Sequence, residues 1–386
     1  MTNEKQKVVH VITKLELGGA QVNTIYTVEH LDDSRFETYL ITGPGGILTD
    51  KVERKDRFIV LDNLVRPIHP IKDGLALVDL VRVLKTIKPD IVHTHSSKAG
   101  ILGRMAAGLA GVPVIVHSVH GFSFSPFQSF LKRMFYTTAE KMISQVTDHF
   151  IFVSTEDVET AKACQLVRNN YSLIRSGFPF THFTEQNADS TAIRSTYGIK
   201  DSDFVCGIIA PFKPQKGLCH LIEIASEVLR SAEIKKNIVF MIMGDGALRP
   251  SIESALNERG IRDHFRLPGF VFDIHRAIDV CDLGISTALW EGLPQSLVQL
   301  RLKRKAVVAS DISGNREIVK HGKNGFLVNV FDYQTFAQRI LELVTDDDTR
   351  ERMANFEEDF SEWDAAVMVR KQEELYRKLS IPQQSS

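Results

Sequence analysis

The chain has 386 residues, too many for one ordinary hydrophobic core and suited to two domains. Its 43% hydrophobic and 25% charged residues are those of a globular protein, and a net charge of -1 gives no global attraction for nucleic acid. Four cysteines, Cys164, Cys206, Cys219 and Cys281, lack paired spacing, which argues against a disulfide framework or a metal knuckle and for a reducing cytoplasm.

Residues 1–7 are polar and lead straight into a strand, so no secretory leader is expected. No apolar run approaches the ~20 residues that span a bilayer. Strands are predicted at 8–12, 38–42, 58–61, 91–93, 114–118 and 149–153, and again at 204–209, 238–243, 264–267, 283–286, 306–310 and 325–328. Helical periodicity fills the gaps, most plainly at 74–87 and 218–229. Near-continuous apolar strands alternating with helices predict parallel sheets covered on both faces. The polar, aperiodic stretch 181–191 divides the series. The expected architecture is α/β, with two Rossmann-like parallel-sheet domains facing a cleft: an N-terminal domain at 1–182, a C-terminal domain at 190–360, and a last helix within 361–386. That helix has Ser361 and Asp364 at capping-box spacing and an apolar stripe of Trp363, Val367, Met368, Leu375 and Tyr376. It packs on the second domain or crosses back to the first.

In such sheets ligands bind beyond the carboxyl ends of the strands, so the chemistry is sought there. Gly18 and Gly19 follow the first strand and open a helix, as a phosphate-approaching turn does; a tight strand–helix turn needs the same residues. His93-Thr94-His95 places two imidazoles on one face of a strand, but no third ligand is suggested nearby, and loop hydrogen bonding is expected in place of a metal. His120 follows another strand, where it orients a sugar hydroxyl, acts as acid or base, or simply caps. Lys213 and Lys216 follow the first strand of the second half and suit a diphosphate leaving group, unless they are solvated surface lysines. Gly244-Asp245-Gly246 mimics a dinucleotide fingerprint, but Arg249 stands where its third glycine belongs. Asp201-Ser202-Asp203 precedes a strand and reads as a turn, not a metal motif.

The densest pattern is Trp290-Glu291-Gly292-Leu293-Pro294 followed by a helix that carries Gln299. Glu291 ends an apolar strand, and Gln299 comes roughly two helical turns later. The pattern describes a phosphate-and-hydroxyl site at a helix N-terminus.

In this order and spacing, seven segments resemble the retaining GT-B glycosyltransferases of family 4, in particular bacterial capsule and exopolysaccharide enzymes. They are 17–20, 93–100, 119–122, 212–217, Gly244-Asp245-Gly246, Pro268-Gly269 and 290–294, and they cover nearly the whole chain. The resemblance implies a metal-independent, retaining transfer of a hexosyl or N-acetylhexosaminyl unit from a nucleoside-diphosphate sugar, with UDP the expected nucleotide and no cofactor. It implies that Gly18 and Gly19 approach the diphosphate, His120 meets the donor sugar, and Lys216, with Lys213, binds the phosphates. The loop Gly269-Phe270-Val271 would hold the base. Glu291 would hold the sugar hydroxyls, and Gly244 and the turn Gly292-Leu293-Pro294 would complete the donor site. The family's acceptors imply a polyprenyl-diphosphate-linked or glycan acceptor and a cytoplasmic protein peripheral to the plasma membrane.

Three departures stand out. Gln299 replaces the family's second Glu at the ribose, and Pro211 replaces a common Arg. The run Leu300-Arg301-Leu302-Lys303-Arg304-Lys305 is basic where small residues are usual, and is expected to form a solvated face. These departures keep two other readings open: a non-catalytic relative that binds a glycan or partner, and an epimerase or hydrolase. Finally, Phe127, Phe130, Leu131, Met134 and Phe135 recur at helical spacing with Lys132 and Arg133 among them. That face is either core or a membrane-interface helix beside the acceptor site.

Overall fold

The computed structural model describes residues 4–16, 18–122, 130–184, 190–231 and 235–380, except the side chains at 130–133, 135, 182, 184 and 190. The chain forms two compact units: Met1–Phe178 together with Ser361–Ser386, and Pro179–Phe360.

The first unit is built on seven strands: β1 (Gln6–Ile12), β2 (Phe36–Thr42), β3 (Phe58–Val60), β4 (Ile91–His95), β5 (Val114–Val119), β6 (His149–Phe152) and β7 (Tyr171–Leu173). They lie in the order β3-β2-β1-β4-β5-β6-β7, all parallel. The second unit has six: β8 (Phe204–Ile209), β9 (Ile238–Met243), β10 (Phe265–Gly269), β11 (Leu283–Ser286), β12 (Ala306–Ser310) and β13 (Gly325–Val328), in the order β10-β9-β8-β11-β12-β13, again parallel. The winding direction reverses between β1 and β4 in one unit and between β8 and β11 in the other. At such a switch point the loops at the strand ends diverge and leave a crevice. The expectation of two Rossmann-like parallel sheets is met.

Most strand residues are apolar because helices cover both faces, the histidines of β1 and β4 being the main exception. On one face of the first sheet, Val9, Val11, Val92 and Ile115 pack against Leu80, Leu84, Ala106 and Ala107 of the helices Pro70–Ile87 and Ser97–Ala110. On the other, Val8, Ile91, Val116 and Ile151 pack against Met368, Val369, Leu375 and Tyr376 of the last helix, Ala365–Ser380. Each large apolar side chain so buried contributes roughly 1.5–3 kcal/mol, so this last helix is integral to the first unit's core. In the second unit Cys206, Ile208, Phe240 and Ile242 pack against Leu221, Ile222 and Ala225 of the helix Leu218–Arg230. Among the described residues no helix is long and apolar enough to cross a membrane.

The expected solvated basic run is corrected. Arg301 is buried: its Nε donates to Glu358 Oε2 at 2.7 Å and its Nη1 to the Lys305 carbonyl at 2.8 Å. Lys303 pairs with Asp279 at 3.0 Å, and Lys305 donates to the Asp279 carbonyl. Only Arg304 is exposed. The guanidinium and ammonium groups staple the end of the helix Gln295–Leu302 to the neighbouring loop and helix, a use of charge that local sequence does not reveal.

Candidate active site

In the second unit the site grows from the switch point. β8 ends at Ile209, and the chain then turns through Pro211 and Phe212 into the short 3-10 turn Pro214–Lys216. Gly217 closes that turn with φ +60, and a Cβ there would lie 2.1 Å from the Thr287 carbonyl oxygen. Glycine is therefore required for the β8 loop to lie against the β11 loop. Thr287 Oγ1 donates to the Lys216 carbonyl at 3.0 Å, the Leu289 amide to the Gln215 carbonyl at 2.8 Å, and Gln215 Nε2 to the Trp290 carbonyl at 2.9 Å. Three hydrogen bonds thus lock the two loops in register.

The result is direct contact between Lys216 and Glu291, whose Nζ and Oε1 form an ion pair. Both side chains are mostly buried, at 16% and 9% exposure. A pair so withdrawn from water is costly to leave uncompensated. It offers a cation for a phosphate and a carboxylate for hydroxyls a few ångströms apart. Lys213 is exposed on the same turn. Glu291 leads through Gly292-Leu293-Pro294 into the helix Gln295–Leu302, which carries Gln299 partly exposed on its second turn. A Cβ on Gly314 would sit 2.5 Å from the Glu291 carbonyl oxygen, so the short helix Ser313–Ile318 after β12 backs the same residue.

Beside this, the Gly244 amide donates to the Gly269 carbonyl at 2.8 Å, joining the ends of β9 and β10. Asp245 pairs with Arg249 at 2.8 Å, and that guanidinium, lying over the Phe212 ring, holds the carboxyl below its ordinary range. The apparent fingerprint is thus a loop brace. Phe270 is exposed beyond Gly269, while Val271 packs on the core below it.

In the first unit Gly18 and Gly19 begin the helix Gly19–His30, with no acidic residue in its first turn. His120 lies one residue past β5, and its neighbours are histidines. The third imidazole that spacing did not suggest beside His93 and His95 is His10. β1 and β4 pair with His10 opposite His93, and one ring nitrogen of each of the three lies within 4.8 Å of the others. Among the described residues, all their ring nitrogens except His10 Nε2 are nonetheless engaged in hydrogen bonds. His93 Nδ1 meets the Tyr376 hydroxyl at 2.5 Å and its Nε2 meets Ser118 Oγ at 2.7 Å. His10 Nδ1 faces His95 Nε2 at 3.0 Å, His95 Nδ1 faces His120 Nε2 at 3.3 Å, and His120 Nδ1 faces Ser176 Oγ at 3.4 Å. The rings form a chain instead of converging on one point. Burial pushes His10 down to about 3 and His120 to about 4, and His93 and His95 well below the ordinary histidine value. All four are neutral at physiological pH. Beside His120 and Ser176 is a small cavity lined also by Asn23 and Gln372, whose buried amide atoms include several without partners among the described residues.

Asp203 accepts hydrogen bonds from the Lys200 amide and Asn237 Nδ2, both at 2.8 Å, as a turn residue does. Phe127 lies outside the described residues, as do the side chains of Phe130, Lys132 and Arg133 on the helix Phe130–Ile143.

With this geometry established, the comparisons are direct. Residues 17–179 match Glycosyltransferase Family 4, and residues 189–359 match Glycosyl transferases group 1. The chain is 32% identical over 348 residues to an Escherichia coli UDP-Gal:alpha-D-GlcNAc-diphosphoundecaprenol alpha-1,3-galactosyltransferase, covering 90% of this chain and 89% of that one. It is 24% identical over 310 residues to the N,N'-diacetylbacillosaminyl-diphospho-undecaprenol alpha-1,3-N-acetylgalactosaminyltransferase of Campylobacter jejuni, covering 78% and 80%. Anabaena HepE in complex with UDP-glucose aligns with a TM-score of 0.79 at 20% identity, over 96% of this chain and 99% of that one. Two parallel sheets with loops at their switch points are the GT-B architecture of glycosyltransferases. The chain belongs to glycosyltransferase family 4.

Proposed function

We propose that the protein moves a hexosyl or N-acetylhexosaminyl unit, with retention, from a UDP-sugar to a polyprenyl-diphosphate-linked sugar during cell-surface polysaccharide synthesis. The observation that carries this reading is the buried Lys216–Glu291 pair at the β8–β11 switch point. Lys216, assisted by Lys213, neutralises the departing diphosphate. Glu291 holds the donor hydroxyls, and Gln299 reaches the ribose as both donor and acceptor. Gly18 and Gly19 allow the diphosphate to approach the helix N-terminus. The relatives' names, which join a sugar to a diphosphoundecaprenol-linked sugar, support the acceptor class.

The test is incubation with labelled UDP- and GDP-sugars and a lipid-diphosphate-linked acceptor, in EDTA, with the anomeric configuration of the product read by NMR. Transfer from a UDP-sugar with retention is expected. Loss of donor binding on chelation would reject the metal-free reading, and an inverted product would reject retention. Binding without turnover of any donor would favour the second reading, a non-catalytic relative, for which Gln299 in place of the family's carboxylate is the motivating observation.

The proposal places the protein at the cytoplasmic membrane surface. The helix Pro70–Ile87 supports this: Ile71, Leu75 and Val78 form an exposed stripe that continues into exposed Lys85 and into Arg82, which lies 3.8 Å from Asp79, while Asp73 is turned to Lys98 and Asp79 also accepts from Asn63. An apolar stripe ending in cations suits an anionic lipid surface. Flotation with phosphatidylglycerol-containing vesicles is expected to recover the protein at low salt and to fail as salt screens the attraction. The double variant Ile71→Ser/Leu75→Ser should lose binding, whereas Lys132→Glu/Arg133→Glu should do so only if the helix Phe130–Ile143 shares the surface. Flotation of neither wild type nor variants would point to a soluble acceptor.

A further inference from the structure

We infer that His10 and His95 are positioning residues for His120: through a one-way chain of imidazole hydrogen bonds they fix which of its ring nitrogens carries the proton. The chain's functional meaning rests on reading His120 as a group that meets the donor sugar. The chain itself is independent of that reading.

The fold makes the chain. β1 and β4 are neighbours, and so are β4 and β5. His10 sits opposite His93, His95 sits opposite Ser118, and His120 follows directly after β5. Three rings from three adjacent strand ends therefore meet on one side of the sheet. The contacts run His10 Nδ1 to His95 Nε2 at 3.0 Å, His95 Nδ1 to His120 Nε2 at 3.3 Å, and His120 Nδ1 to Ser176 Oγ at 3.4 Å. His93 stays outside this line, held between Tyr376 and Ser118.

A neutral imidazole has one N–H and one lone pair. In a line of neutral rings joined nitrogen to nitrogen, choosing the proton's place on one ring therefore dictates it on all. Only two arrangements exist, running in opposite directions. The far end decides between them. His10 Nε2 is buried and has no partner among the described residues. Protein interiors leave a buried N–H unpaired less readily than a buried acceptor. His10 thus keeps Nε2 bare and donates from Nδ1 to His95, His95 donates from Nδ1 to His120, and His120 donates from Nδ1 to Ser176.

The consequence for the site is specific. The His120 lone pair on Nε2 is occupied by His95 and cannot take a proton from an acceptor hydroxyl. What His120 can redirect is its Nδ1 hydrogen, from Ser176 to a sugar oxygen. His120 is then a hydrogen-bond donor that orients the sugar, not a general base. Of the roles left open for a histidine at this position, the chain selects one.

The experiment is histidine ring 15N NMR on the full chain at pH 7.5, with His120 assigned by its loss in His120→Gln. His120 is expected to be protonated at Nδ1 and bare at Nε2. His10→Phe keeps the ring shape but removes the first donor, and should leave His120 a mixture of tautomers. His10→Asn returns an N–H near the place of Nδ1 and should restore the single tautomer. With transfer assayed in parallel, His10→Phe should lower kcat roughly tenfold, the loss of one positioned hydrogen bond, with little change in the donor KM, and His10→Asn should recover most of it. Wild-type His120 protonated at Nε2, or a single tautomer surviving in His10→Phe, would overturn the inference. The wild-type spectrum decides it even if His10→Phe does not fold. Tautomers as expected, with full activity in His10→Phe and His120→Gln, would leave the chain standing and remove His120 from the donor site.

Discussion

Replacing Glu291 by Gln is expected to lower sugar transfer by about 10²-fold or more, the scale for a positioned polar group at a reacting centre, while UDP affinity holds or rises. The reason is the ion pair. With no donor present, the Glu291 carboxylate is satisfied by the Lys216 ammonium. In the proposed reaction a nucleotide sugar recruits both, the diphosphate drawing the lysine and the hydroxyls drawing the carboxylate. UDP alone recruits only the lysine and must win it from Glu291. Gln keeps the shape and an acceptor oxygen but gives up the charge that competes for Lys216. Lys216→Ala is the opposite change. It should weaken UDP binding by about 1.5–3 kcal/mol and strand a nearly buried carboxylate, which costs about 3–5 kcal/mol when one partner of a buried pair is removed. Initial transfer rates and UDP calorimetry on both variants check the argument. Wild-type turnover in Glu291→Gln would take the residue out of the site. Unchanged UDP affinity in Lys216→Ala would take the lysine out of phosphate binding.

Below pH 6.5 the first unit should lose stability steeply, and the second far less. His10, His93, His95 and His117 are buried, and burial holds every one of them well below the ordinary histidine value. The unfolded chain takes up protons near pH 6.5 that the folded unit refuses. Their contribution is therefore complete above that pH and falls away as pH drops toward the folded values, which for His10 is about 3. One pH unit below 6.5, each histidine forfeits about 1.4 kcal/mol, so the four together forfeit roughly 6 kcal/mol. That is a large part of the 5–15 kcal/mol by which a typical domain is stable. The two tryptophans separate the units: Trp363 lies in the first and Trp290 in the second. Urea unfolding of Trp290→Phe followed by Trp363 fluorescence should show a midpoint much lower at pH 5.5 than at pH 7.5. Equal midpoints would mean that the imidazoles are charged in the folded state.

Most of the scaffold was legible because buried parallel strands write themselves as apolar runs. β8, β9, β11, β12 and β13 begin and end where the residue pattern places them. β7 was not anticipated: it is three residues at a sheet edge, Tyr171–Leu173, with a serine in the middle and no periodicity to detect. The site was legible as a set of strand ends, but the links between them were not. The Lys216–Glu291 contact joins residues 75 apart in sequence. His10 stands 85 residues from His95, and only the adjacency of β1 and β4 makes the two neighbours. Arg301 looked like a surface cation because its partner, Glu358, lies 57 residues downstream. In each case local composition names the group, and only the chain's return path supplies what it touches.

The last helix has a bearing on how the chain is made. Tyr376, at 0% exposure, closes the first unit's core and holds His93. The ribosome delivers it only after every residue of the second unit has emerged. Domains generally fold as units in the order of synthesis, and here that order is inverted. Pro179–Phe360 has all its strands available before the first unit has its full complement. Until then the apolar surface around Val8, Ile91 and Val116 waits uncovered. The nascent first half is therefore the part that needs protection from aggregation until the helix Ala365–Ser380 emerges to cover it.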